Sequence, residues 1–448
     1  MRTTIEFFLN GQRMSVPARY GVRPVLSWLR EDQRLTGSKE GCAEGDCGAC
    51  TVVVATLEAS KGVAYLPVCS CILCVGALDG KELISVDGLR NHPVQRAMVE
   101  CHGSQCGFCT PGFVMALYAY YKKNNGSLCD ALAGNLCRCT GYAPILAAGA
   151  KMFEYEEQSP GEAARLRELP QDGVSDARFS APRSLHELAT VLHPGATLLG
   201  GGTDLGLLIT KQLRELDNVV YLGNVSELKT LEESSDHLEI GGAVTYAEAH
   251  AALARIHPDI GELLRRLGGA QVRACGTLAG NIAHGSPIGD SMPFLLALGA
   301  TLLLQQGTRQ RTLLLEDFYT GYRKTVLQPG EFIRSIRVPK LAPGARFAAY
   351  KISKRFDQDI SGLCAAFHVA SGRARFAFGG MAATPARAPR AEAMFSGDIE
   401  RACAALAEDF RPLSDHRASA WYRLTVAQNL LRKFHSGIGA RALLDIEP

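Results

Sequence analysis

Cys42, Cys47 and Cys50 stand in the run Gly-Cys-Ala-Glu-Gly-Asp-Cys-Gly-Ala-Cys-Thr at residues 41–51. Four residues and then two separate them, the spacing of a plant-type 2Fe–2S ligand loop that draws its fourth cysteine from further along the chain. Thiolates are the soft ligands that iron–sulfur cores take. Such a loop must wrap closely around inorganic sulfide, and Gly41, Gly45 and Gly48 permit the close approach and positive φ this demands. The fourth ligand comes from Cys69, Cys71 or Cys74, among which spacing does not choose. A disulfide knot and a structural zinc site are the competing readings, and zinc sites usually carry short C-x-x-C pairs on both sides.

A second set follows, with Cys106 and Cys109 in Gln105-Cys106-Gly107-Phe108-Cys109, and Cys137 and Cys139 in Gly134-Asn135-Leu136-Cys137-Arg138-Cys139-Thr140-Gly141-Tyr142. Residues two apart do not share a helix face. Cys137 and Cys139 therefore reach one metal only from a turn, which is where Gly134 and Gly141 put them. Zinc is the rival here as well. Beside a ferredoxin-type loop a second iron–sulfur cluster is expected, because two neighbouring carriers make a wire for single electrons.

Two glycine-rich stretches carry the other chemistry. A strand at 196–199 runs into Gly200-Gly201-Gly202-Thr203-Asp204 and then a helix at 205–213. Backbone N–H groups and a helix start in that order make an anion site; the alternative is a tight turn in which Thr203 or Asp204 caps the helix. The run matches neither the G-x-G-x-x-G fingerprint nor a Walker loop. The second stretch, residues 268–282, contains Thr277-Leu278-Ala279-Gly280-Asn281 and continues to Gly289-Asp290. Two phosphate-cradling stretches about seventy residues apart suit a dinucleotide held between subdomains. Asp290 is placed to accept hydrogen bonds from sugar hydroxyls or a ring N–H, or to cap a helix at 292–298.

The elements that must position these residues follow from pattern. Residues 4–16 read as a hairpin around Asn10-Gly11. A short helix follows, with Pro24 near its start and Leu26 and Leu29 on one face. Strands at 51–55 and 63–71 complete a β-grasp ferredoxin-like domain over residues 1–78. Helices at 93–100, 112–123 (opened by Thr110-Pro111) and 142–154 make a helical 2Fe–2S domain over 79–156. Residues 157–178 read as an exposed linker. A two-subdomain α/β nucleotide domain spans 179–342, and a small α+β C-terminal domain spans 343–448, with strands at 347–352, 363–370 and 374–378 and helices near 400–409 and 418–434. Lys351, Lys354, Arg355, Asp357 and Asp359 read as a solvated strand end. The fold class is multidomain α+β.

At 448 residues and a net charge of +3 with signs interspersed, nothing suggests a nucleic-acid surface. No apolar run approaches the ~20 residues of a membrane span, and the N-terminus lacks a signal-peptide core. Twelve of fifteen cysteines lie between Cys42 and Cys139. Clustered thiols suit metal in a reducing compartment, so a cytoplasmic protein is expected.

In this order the motifs resemble the iron–sulfur and FAD part of the molybdenum hydroxylases, the family of xanthine dehydrogenase; residues 41–51, 102–112 and 134–142 match it most specifically. The resemblance implies that Cys71 is the fourth plant-type ligand and that Cys106, Cys109, Cys137 and Cys139 hold the helical cluster. It implies that Gln105 touches the pterin of a molybdenum cofactor. FAD contacts carry over onto Thr197, Leu198, Leu199, Gly200, Gly201, Gly202, Thr203 and Asp204, onto Thr277, Leu278, Ala279, Gly280 and Asn281, and onto Asp290, Ile333 and Lys351. Leu267 departs from the pattern, standing where the family often has an aromatic residue against the flavin ring. Cys69 and Cys74, flanking Cys71, are also unusual.

The chain has no room for the molybdenum-binding portion, so the resemblance implies a separate large molybdopterin subunit and a dimer of heterodimers. Electrons released by hypoxanthine and xanthine oxidation to urate would pass through the helical cluster, the plant-type cluster and FAD to NAD⁺. No classical catalytic residue is expected in this chain. The alternatives are the equivalent part of an aldehyde or N-heterocycle hydroxylase, and a zinc-stabilised nucleotide-binding scaffold without redox chemistry.

Overall fold

The Asn10-Gly11 turn forms as its sequence dictates. Both residues take positive φ, 50° and 84°, the requirement of the two-residue hairpin turn whose twist matches its strands. In the computed structural model, which describes residues 1–58, 62–157 and 162–437, this hairpin joins Thr4–Leu9 to Gln12–Pro17. Glu82–Ile84 adds in parallel to the first strand, and Thr51–Glu58 and Gly62–Cys69 complete a five-stranded mixed sheet. Pro24 precedes a helical turn at Val25–Ser27 that widens into a π-turn at Trp28–Asp32, with Leu26 and Leu29 buried. This is the expected β-grasp.

Helices Pro93–Glu100, Thr110–Lys123, Leu128–Leu132 and Ala143–Lys151 form the helical domain. Thr110 does not cap its helix as expected. Cys109 occupies the cap position, Thr110 is the first helical residue, and its hydroxyl lies 2.6 Å from that of Ser104.

The stretch 157–178, expected as an exposed linker, is partly folded; residues 158–161 lie outside the described residues. Glu162–Arg167 is helical, Leu166 packs with Phe8 and Leu169, and Arg165 Nη2 donates to both carboxylate oxygens of the buried Glu82 at 3.0 Å. Val174–Ser175 is a strand. Burying one leucine and pairing one buried carboxylate gives this sparse sequence enough to hold it.

Two compact units divide the chain. The first comprises Met1–Glu227 with Gly268–Gly276; the second comprises Leu228–Leu267 and Thr277–Pro448. The first unit also holds a four-stranded sheet in the order Val174–Ser175, Phe179–Ala181, Val219–Tyr221, Thr197–Leu199. Phe179 keys this sheet to the β-grasp. Its ring is fully buried between Gly21 and Gly76, where an added Cβ would lie 2.3 Å and 2.0 Å from ring carbons. No residue with a side chain fits either glycine position. Phe179→Ala should therefore destabilise this unit by about 3–5 kcal/mol, measured as a shift in its urea midpoint at constant slope.

The second unit contains an antiparallel sheet ordered Leu231–Glu233, His237–Gly241, Phe332–Pro339, Thr301–Gln306, Arg309–Leu314. Its core takes in residues of helices Tyr246–Ile256, Pro258–Arg265, Leu278–His284 and Ser291–Leu298. A four-stranded sheet follows, built on Arg346–Ile352, Leu363–Ala370 and Arg373–Gly379, packed against Ile399–Asp409 and Ala420–His435 through a phenylalanine-rich core. These elements lie close to where the sequence put them.

Candidate iron–sulfur and flavin sites

Residues 41–50 form an irregular loop in which N–H groups turn toward sulfur. Cys42 Sγ receives the N–H groups of Glu44, Asp46 and Cys47 at 3.3–3.4 Å, and Cys47 Sγ receives that of Cys42 at 3.3 Å. Ala43, Gly45 and Gly48 take positive φ to allow it. The Cys42 thiol is held down to about 6 by its bond with Cys47 and by these N–H groups, against burial. Cys47 is pushed up by the same contact. Cys50 is buried and held low by hydrogen bonds from Cys69 and Cys71, while Cys71 is raised by Cys50 and also feels Cys42. Cys74 is raised to about 12 by burial alone and has no part in this group. Cys69 is fully buried and points its thiol at the Gly45 carbonyl, 3.7 Å away.

The second set sits where a turn precedes helix Ala143–Lys151. Gly141 and Tyr142 take consecutive positive φ, and the Cys137 N–H donates to the Tyr142 hydroxyl at 3.0 Å. Burial pushes Cys137 up, but the Thr140 hydroxyl at 3.2 Å and nearby N–H groups bring it down to about 7. Its partner Cys109 is pushed up to about 12 by burial and by Cys137. Cys106 is lowered by the Phe108 N–H and by Cys139, and Cys139 is raised in turn.

The sulfurs thus group as Cys42 with Cys47, Cys50 with both Cys69 and Cys71, Cys106 with Cys139, and Cys109 with Cys137. Among the described residues no three such side chains converge on one point as ligands of a single ion would. Two thiolates on each of two irons make a 2Fe–2S cage, and Cys42, Cys50, Cys106 and Cys137 are each shifted toward the anionic form that ligates. The pairs also differ in exposure: Cys50 and Cys71 are buried, whereas Cys106, Cys139 and Gln105 are exposed. A backbone hydrogen bond joins the two loops, from the Leu136 N–H to the Cys47 carbonyl at 3.0 Å, and the Asn135 amide donates to the Gly48 carbonyl beside it at 3.0 Å.

In the first unit, Thr197–Leu199 pairs in parallel with Val219–Tyr221 and leads into the triple glycine. Gly202 has φ +77°, and a Cβ on Gly201 would sit 1.9 Å from the Cys275 carbonyl oxygen, so this turn is pressed onto the chain at 275–276. The helix that follows is shorter than expected, Leu205–Thr210, and neither Thr203 nor Asp204 caps it through a side chain.

In the second unit, Thr277 caps Leu278–His284 by accepting from the Gly280 N–H at 3.0 Å. Asn281 Oδ1 is buried with no partner, and an orphaned acceptor of that kind implies a group that is not protein. Leu267 and Ile333 belong to the apolar core of this unit. Asp290 does not cap its helix; it accepts from Lys351 Nζ at 2.5 Å and from Ser361 Oγ at 2.5 Å, all three being buried. Ser361 carried no signal in the sequence. A carboxylate has about four lone-pair sites, so Asp290 retains capacity for a ring or sugar donor.

Of the strand end expected as a solvated face, Lys354 and Arg355 are exposed as expected, and Lys351 is the exception. Lys351 is buried, and the residues after it line a cavity of about 700 Å³ in the second unit. Lys354, Arg355 and Arg417 line that cavity beside Trp421 and Tyr422, and Asp359, also in its wall, pairs with Arg355 at 3.4 Å. Its size is that of a small-molecule site.

Four family descriptions match the chain in order: 2Fe-2S iron-sulfur cluster binding domain at residues 7–75, [2Fe-2S] binding domain at 82–150, FAD binding domain in molybdopterin dehydrogenase at 175–341, and CO dehydrogenase flavoprotein C-terminal domain at 348–438. The chain belongs to the molybdenum hydroxylases, as their iron–sulfur and flavin portion. Xanthine dehydrogenase of Emericella nidulans is 31% identical over 97% of this chain and 38% of its own length. That of Drosophila pseudoobscura pseudoobscura is 33% identical over 86% of this chain and 35% of its own length. The chain therefore spans well under half of these relatives. Among solved structures, reconstituted CO dehydrogenase from Oligotropha carboxidovorans matches with TM-score 0.53 and 26% identity, over 58% of this chain and 96% of that one. Quinoline 2-oxidoreductase from Pseudomonas putida 86 matches with TM-score 0.53 and 26% identity, over 60% and 99%. Among the described residues, no helix of this molybdenum hydroxylase portion is long and apolar enough to cross a membrane.

Proposed function

We propose that this chain conducts electrons from a molybdenum centre in a partner portion to NAD⁺, in an enzyme that oxidises hypoxanthine and xanthine to urate. Bound 2Fe–2S clusters would supply single-electron transfer and FAD the conversion of single electrons to a hydride pair. The chain's residues hold these groups: Cys42, Cys47, Cys50 and Cys71 one cluster, and Cys106, Cys109, Cys137 and Cys139 the other. The observation that carries the reading is the Cys47–Leu136 hydrogen bond between two loops of paired thiols. The exposed set, with Gln105, faces the molybdopterin partner; the buried set lies further in. The residues offered as flavin contacts are 197–204 in the first unit and, separately in the second unit, Leu267, 277–281, Asp290, Ile333 and Lys351, where Asn281 Oδ1 supplies an acceptor that needs a donor.

The cavity beside Trp421 supports a dinucleotide acceptor, since stacking on Trp421 and charge from Lys354, Arg355 and Arg417 suit an adenine nucleotide. Trp421→Ala should raise KM for NAD⁺ several-fold and leave flavin reduction by substrate unchanged, measured by steady-state and anaerobic stopped-flow kinetics.

Sequence relatives named xanthine dehydrogenase favour a purine. The solved structures, named CO dehydrogenase and quinoline 2-oxidoreductase, favour a second reading in which the partner oxidises another small molecule. Co-expression with its genomic neighbours decides between them: NAD⁺-dependent turnover of hypoxanthine and xanthine is expected, and turnover of only aldehydes, N-heterocycles other than purines, or carbon monoxide would reject the purine.

A further inference from the structure

Three buried polar side chains meet where the two cysteine loops touch. Thr51 follows Cys50, Asn135 precedes Cys137 by two, and Gln271 lies on the helix Ala270–Cys275; each is at most 2% exposed. Thr51 Oγ1 donates to the Gly48 carbonyl at 2.7 Å. Asn135 Nδ2 donates to the same carbonyl at 3.0 Å and to Thr51 Oγ1 at 3.3 Å. Gln271 Nε2 donates to Asn135 Oδ1 at 2.8 Å and to Thr51 Oγ1 at 3.2 Å.

A hydroxyl has one proton and two lone pairs. Thr51 spends the proton on Gly48 and both lone pairs on the two amides, so the network closes only with an amide donor at 271. The backbone around it leaves no slack. A Cβ on Gly48 would lie 2.2 Å from the Gly134 carbonyl oxygen, one on Gly112 2.2 Å from that of Gly48, and one on Gly134 1.9 Å from Gln271 Oε1. Gln271 lies inside the segment matched to the FAD-binding description, yet its chain, Gly268–Gly276, belongs to the same compact unit as the cysteine loops.

We propose that Gln271 is a positioning residue for electron passage: through Asn135 and Thr51 it clamps the loop of Cys47 and Cys50 onto the loop of Cys137, so that the flavin-binding segment sets the separation of the two clusters. This rests on the two-cluster reading above. Gln271 touches no reacting atom, and its effect is on the geometry of the wire.

The test uses the assembled complex with Gln271→Ala, which removes both donors, and Gln271→Glu, which keeps the size and replaces the donor by an acceptor facing Asn135 Oδ1. Iron and flavin contents are expected to match the wild type. The magnetic coupling between the two reduced clusters, read by EPR, is expected to change in both variants, and flavin reduction by substrate to slow. Asn135→Ala should add little to Gln271→Ala, because the two act as one unit. Unaltered coupling and unaltered flavin reduction in both variants would overturn the proposal. Should the alanine variant not fold, the isosteric glutamate decides: full iron with altered coupling supports the clamp, and full iron with unaltered coupling, or loss of iron, contradicts it. A wild-type complex without EPR-active clusters would fail the two-cluster reading itself, which separates the two failures.

Discussion

Cys47→Ser is expected to cost the protein half its iron, from about four to about two per chain, with the loss of one EPR signal. The reason is the pairing. Cys47 shares its sulfur contact with Cys42 and has no other cysteine behind it, so serine leaves one iron with a single thiolate. Cys137→Ser should remove the other half, because Cys109 is its only thiol partner among the stated pairs. The same assay settles the fourth plant-type ligand. Cys71→Ser should halve the iron, and Cys69→Ser and Cys74→Ser should not. Cys69 also hydrogen-bonds Cys50, so halved iron in Cys69→Ser with full iron in Cys71→Ser would move the ligand two residues back.

Asp290→Ala is expected to destabilise the second unit by about 3–5 kcal/mol, the cost of leaving a buried ammonium without its counter-charge. Lys351 and Asp290 side chains are 2% and 7% exposed, and Ser361 loses its acceptor in the same change. An exposed pair would be worth about 0–1 kcal/mol, so the two cases separate cleanly in urea unfolding at fixed slope. The variant should also bind flavin poorly, since Asp290 is a proposed flavin contact. Loss of flavin with stability unchanged would show that the pair is not structural. A loss of stability below about 1 kcal/mol would contradict the buried-pair account outright.

How much of this was legible in the sequence depended on the kind of signal. Local turn chemistry carried well: Asn10-Gly11 formed its hairpin, and Gly141 with Tyr142 made the turn that holds Cys137 and Cys139 ahead of a helix. Cysteine spacing and glycine runs marked both candidate sites. Interactions between residues far apart in the chain left no periodic trace. Gln271 was visible only as one letter in a glycine-rich run, although it reaches Thr51 across 220 positions. Lys351 read as a solvated charge because nothing local announces Asp290 as its partner. The 157–178 stretch lacked apolar periodicity, and a single buried Leu166 with one ion pair was enough to fold its helix. The triple glycine shows the converse. Its sequence suggested a cradle for phosphate, and Gly201 also serves a close approach to the Cys275 carbonyl.

Paired thiols and a flavin-binding segment make one claim above the others, that two iron–sulfur clusters in this chain feed a bound flavin. Metal and flavin analysis of the purified chain, with EPR after stepwise reduction, tests it most directly. About four irons and one FAD per chain are expected, with two distinct cluster signals that appear in sequence. A colourless, zinc-loaded protein silent in EPR would contradict it.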